Sequence, residues 1–128
     1  MNKIKAVVKN VTTKENVNMA ELLFDRETLY MLSLELPLNF ENGSFVTLGI
    51  KPVNIAISKD FHVDMSFLNQ LKVSVIAIET GEILTSVQGV INGVILESVI
   101  TTKAFYRMEI GVGDSVIMLL PASELFLV

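Results

Sequence analysis

The chain of 128 residues is long enough for one ordinary domain or two very small ones, and it can bury a real core. Hydrophobic residues make up 51% of it and charged residues 19%, which excludes disorder; the absence of cysteine excludes a disulfide framework, a thiolate nucleophile and a cysteine-ligated zinc site. Fourteen acids against ten bases leave a net charge of −4, which argues against a phosphate-neutralising groove and so against nucleic acid as a partner.

Sixteen Val and twelve Ile weight the composition toward strands. Apolar alternation in short runs predicts strands at Ile4–Val11, Met19–Phe24, Thr28–Leu36, Ser44–Ile50 and Ala56–Ser58 in the first half. The second half offers Leu71–Glu79, Leu84–Ile91, Val94–Ile100, Ser115–Leu120 and Leu125–Val128. Asn92-Gly93 separates two of these runs and predicts a hairpin, because a type I′ turn needs positive φ at both central residues. Thr101 or Thr102 is placed to cap a short helix through Tyr106, before Gly111 and Gly113 end it. The longest uncharged run, Ile83 to Leu96, is fourteen residues and carries polar side chains and two glycines, so no membrane insertion is expected. The start Met1-Asn2-Lys3 has no apolar signal segment behind it, and the expected location is the cytoplasm.

Two self-similar registers suggest a duplication. Phe40-Glu41-Asn42-Gly43-Ser44-Phe45-Val46 lies over Ile110-Gly111-Val112-Gly113-Asp114-Ser115-Val116, and Asn2-Lys3-Ile4-Lys5 lies over Asn69-Gln70-Leu71-Lys72. The expected fold class is therefore all-β: two tandem small barrel modules, residues 1–60 and 61–128, each with at most one short helix. Seven bases balance seven acids in the first, whereas the second carries three bases and seven acids.

Several segments of the second half resemble the TOBE or Mop domain, a small OB-like β-barrel found in molybdate-binding proteins and at the C-terminus of transporter ATPases. Ser66-Phe67-Leu68-Asn69-Gln70-Leu71 is similar to that family's Ser-Ala-Arg-Asn-x-Leu opening, Ile100-Thr101 to the Ile-Thr before its short helix, Gly113-Asp114-Ser115-Val116 to its Gly-Asp-x-Val, and Leu120-Pro121-Ala122-Ser123 to its closing Ile-Lys-Ala-Ser. In the first half, Leu48-Gly49-Ile50-Lys51-Pro52 resembles the Leu-Gly-Ile-Arg-Pro of the transporter-type variant. The resemblance implies OB-like modules that bind a tetrahedral oxyanion, molybdate or tungstate, between them, with no cofactor and no chemistry on the ligand. It implies Ser66, Asn69, Thr101, Ser123 and Lys51 as the oxyanion-binding residues. A cage of hydroxyls and backbone N–H groups suits an acceptor-only ligand even in an acidic protein. The family's arginine falls on Leu68 and its closing lysine on Pro121, so the second half lacks both cationic members, whereas the first keeps Lys51 at the equivalent of Pro121 but has no Ser-Ala-Arg before Asn2; a composite site is the expectation. The alternative is a pair of domains that kept the barrel for protein contacts, for example with a transporter ATPase.

Each candidate also has a plain structural reading. Ser66 and Asn69 fit a turn before a strand, Thr101 fits a helix cap, and Lys51 before Pro52 fits an extended, exposed strand end. Asp60-Phe61-His62-Val63-Asp64 holds the only histidine, and one imidazole with two carboxylates is a poor metal set, so no metal site is expected. No nucleophile elbow or phosphate-cradling loop precedes a helix, so no enzyme is expected either. The apolar surplus in modules this small predicts a homo-oligomer.

Overall fold

The computed structural model describes residues 1–128. The strands of the first half are β1 (Asn2–Lys14), β2 (Val17–Phe24), β3 (Glu27–Ser33), β4 (Phe45–Ile50) and β5 (Ala56–Ser58). Those of the second are β6 (Asn69–Thr80), β7 (Leu84–Ile91), β8 (Val94–Thr101), β9 (Ser115–Leu120) and β10 (Phe126–Leu127), with one helix, α1 (Thr102–Met108). All strand pairs are antiparallel, and they form two five-stranded sheets ordered β10-β4-β1-β2-β3 and β5-β9-β6-β7-β8. Alternation does the sorting: on β1, Asn2, Ile4, Ala6 and Val8 are buried, whereas Lys3 and Lys5 are exposed.

Each sheet takes its last strand from the opposite half. β5 pairs with β9, through Ala56 opposite Leu119 and Ser58 opposite Ile117, and β10 pairs with β4, through Phe126 opposite Gly49. The Phe126 ring covers Gly49 so closely that a Cβ there would lie 2.7 Å from Cε2. Both halves feed a single core cluster of 23 buried residues, including Ile4, Leu22, Leu48, Leu71, Val87 and Leu120.

The duplication is visible in detail. The bulge between Val8 and Asn10 in β1 recurs between Val75 and Ala77 in β6. Gly43 and Gly113 occupy equivalent turns with φ of 90° and 94°, and each donates its N–H to a β-strand carbonyl, of Val8 and Val75 respectively. In those turns the Ser44 hydroxyl accepts from the Glu41 N–H, and the Asp114 carboxylate from the Gly111 N–H. The predicted Asn92-Gly93 hairpin has the φ values its turn demands, 49° and 77°.

The halves differ where three extra residues enter the second. There, Thr101 caps α1 by accepting the Ala104 N–H at 3.2 Å, and Glu109, in a left-handed conformation at φ 53°, ends it before either expected glycine. In the first half Pro37 occupies the matching stretch, and β3 stops at Ser33 rather than running to Leu36.

Candidate anion-binding site

The structure builds two equivalent corners where the halves interlock. At one, Asn69 opens β6 almost fully buried, at 1% exposure. Its Oδ1 accepts the Tyr30 N–H at 2.8 Å, and its Nδ2 donates to the Tyr30 carbonyl at 2.8 Å and the Leu120 carbonyl at 3.0 Å. At the other, Asn2 opens β1: its Oδ1 accepts the Glu97 N–H at 2.7 Å and its Nδ2 donates to the Glu97 carbonyl at 2.8 Å. Each amide thus serves as a one-residue strand against the edge of the other half's third strand, β3 or β8.

Each corner continues into a short 3-10 turn. Lys51, extended at φ −71° and ψ 141° as the following proline requires, precedes the turn Pro52–Asn54, which packs on β8. Pro121 occupies the matching place before the turn Ala122–Glu124, which packs on β3. Asn54 Nδ2 donates to Glu124 Oε2 at 3.2 Å, so the two turns meet. This contact brings the segment that carries Lys51 to the segment that carries Ser123.

The five residues named from sequence divide as follows. Ser66 lies exposed in the segment leading into Asn69, and Ser123 is exposed in the turn beside the same corner. Lys51 is exposed at the opposite corner, and the chain's one ion pair, Lys9 to Glu21 at 3.8 Å, does not involve it. Thr101 sits at the end of β8 with its hydroxyl engaged in capping α1. Asn69 has both amide hydrogens engaged by carbonyls, so it fixes the corner that Ser66 and Ser123 flank. Leu68, at the family's arginine position, is 60% exposed.

Two features escaped the sequence reading. Asn2 is the structural twin of Asn69, and only the shared Asn-x-(Ile/Leu)-Lys pattern could have signalled it. Thr102, not Thr101, is the buried polar member of the pair: its hydroxyl donates to the Gly81 carbonyl at 2.8 Å and accepts from Thr85 Oγ1 at 2.9 Å. The linker histidine is strapped down rather than free. His62 Nε2 lies 2.9 Å from Ser58 Oγ, and Gln70 holds the His62 backbone at both its N–H and its carbonyl.

A duplicated pair of OB-like β modules, with exchanged end strands and an amide clamp at each junction, defines the architectural class. Residues 66–127 match the family model of the TOBE domain. In fold the chain is similar to a crystal structure of the cytoplasmic molybdate-binding protein ModG with molybdate bound, at a TM-score of 0.91 and 22% identity over 98% of this chain and 94% of that one. No curated protein matches the chain in sequence. No helix is long and apolar enough to cross a membrane.

Proposed function

We propose that the chain binds a tetrahedral oxyanion, molybdate or tungstate, in the cytoplasm, for storage or sensing, and performs no chemistry on it. The observation that carries this reading is the near-complete likeness to molybdate-bound ModG in a chain whose second half matches the TOBE domain. The corners supply a rationale. Lys51 offers an ammonium in no ion pair, and Ser66 and Ser123 offer exposed hydroxyls beside a rigid clamp. Thr101, placed at the start of α1, completes the donor set, and Asn69 acts as a positioning residue. An oxyanion gains from such donors because it must replace the hydration it loses. Further copies of the chain, docked in a homo-oligomer, close the cage around the ligand.

A thermal-shift series with molybdate, tungstate and sulfate tests the reading, since a ligand bound only by the folded state raises apparent stability in proportion to RT ln(1 + [L]/Kd). Molybdate and tungstate are expected to raise the midpoint more than sulfate. Equal shifts by all three would reduce the effect to general salt stabilisation, and no shift would leave a fold kept for protein contacts.

A further inference from the structure

We infer that the slot between β1 and β8 is a separate binding site for a small organic anion with an apolar body, such as an aryl phosphate. The slot lies beside the Asn2–Glu97 clamp, with Lys3 next to Asn2 on β1 and Val94 at the start of β8. Lys3, Lys5, Phe24, Thr47, Val94 and Val128 line it, and its volume is about 470 Å³, within the range typical of small-molecule sites. Lys3 and Lys5 are successive outward residues of one strand, roughly 7 Å apart along it. Neither joins the chain's one ion pair, in a protein that is acidic overall.

The duplication provides an internal comparison. At the equivalent place in the other half, Gln70 stands for Lys3, Glu27 for Val94, Ile117 for Thr47 and Ser58 for Val128. There Gln70 ties down the linker through His62 and Phe67, and Ile117 is only 3% exposed. One slot thus carries two lysines, whereas the equivalent place has one, Lys72, and an acid, Glu27, and the chain's own linker is tied down there.

The chemistry of the lining selects the ligand. Phe24, 5% exposed, and Val94 and Val128 offer no side-chain donor, so a bare oxyanion would be desolvated on one side without compensation. An organic anion turns its apolar body to those side chains and its charged oxygens to Lys3, Lys5 and the Thr47 hydroxyl. The adjoining groove contains Asp25, which opposes a ligand that spreads its charge in that direction. The oxyanion reading uses none of these residues, so the two proposals stand or fall separately.

The test is an NMR titration of the full chain with phenyl phosphate, inorganic phosphate and phenol. Phenyl phosphate should shift the backbone amides of Lys5, Thr47 and Val94 saturably, with each half-ligand binding on the order of tenfold more weakly or less. The double substitution Lys3→Gln with Lys5→Gln should weaken phenyl phosphate on the order of tenfold, and Val94→Glu, which copies the twin slot, should do the same in a chain whose dispersed spectrum shows it folded. Lys51→Ala should leave the titration unchanged, and molybdate should not compete. Equal binding of inorganic phosphate at the same amides, shifts confined to other residues, or indifference to both variants would overturn the inference.

Discussion

Asn69 hydrogen-bonds both backbone groups of Tyr30, and Asn2 does the same to Glu97 at the other junction of the two halves. A side-chain amide is the one uncharged group that presents a donor and an acceptor with the spacing of a peptide, so it can end a sheet edge without a further strand. The halves are thereby tied at two points by groups that apolar packing could not replace.

Asn69→Ala should destabilise the protein by about 3 kcal/mol, because it strips partners from the Tyr30 N–H, the Tyr30 carbonyl and the Leu120 carbonyl inside the fold. Asn2→Ala removes two bonds and should cost about 2 kcal/mol. Urea unfolding measures both, and equal or negligible losses would mean that water takes over the clamp.

Thr102→Val should cost about 2 kcal/mol by leaving the Gly81 carbonyl and the Thr85 hydroxyl without their partner. The double change Thr85→Val with Thr102→Val should cost less than the sum of the single changes, since the second removes a group the first has already orphaned. Strict additivity in a double-mutant cycle would show that the two hydroxyls do not depend on each other.

Lys51→Ala should weaken molybdate on the order of tenfold, as expected for loss of a charge-assisted contact. Leu68→Arg, at a 60% exposed position that can take the longer side chain, should strengthen it by a comparable factor by restoring the family's arginine. Isothermal titration reads both, and unchanged affinities would remove these residues from the site.

Cutting the linker at a protease site inserted after Val63, which is fully exposed, should leave the two fragments associated. Each contributes a strand to the other's sheet, β5 to β9 and β10 to β4, so they should co-elute in native size exclusion and separate only in denaturant. Separation under native conditions would show that the exchanged strands and the Asn clamps contribute little to holding the halves together.

Three strands were legible from sequence to the residue: Leu84–Ile91, which alternates, and the short apolar runs Ala56–Ser58 and Ser115–Leu120 have the observed bounds. β1 and β6 start earlier than the apolar pattern suggests, because their first residues are asparagines buried by hydrogen bonding rather than by hydrophobicity. The exchange of β5 and β10 left no trace in the pattern, since alternation records which face of a strand is buried and not which sheet it joins. Of the five named site residues, Asn69 shows the limit most clearly. A short polar residue before a strand reads equally as turn, ligand or clamp, and only the neighbouring backbone of Tyr30 and Leu120 distinguishes them.

The exchanged strands also set an order on synthesis. The edge of β4 is filled by Phe126 and Leu127, so a nascent chain that has emerged through Ser58 carries four of the five strands of its first sheet and an unpaired edge beside Gly49. The fifth strand arrives after all of β6 to β9. Until then that edge is a template for stray pairing, and the first half must wait for Phe126 and Leu127 before it is closed.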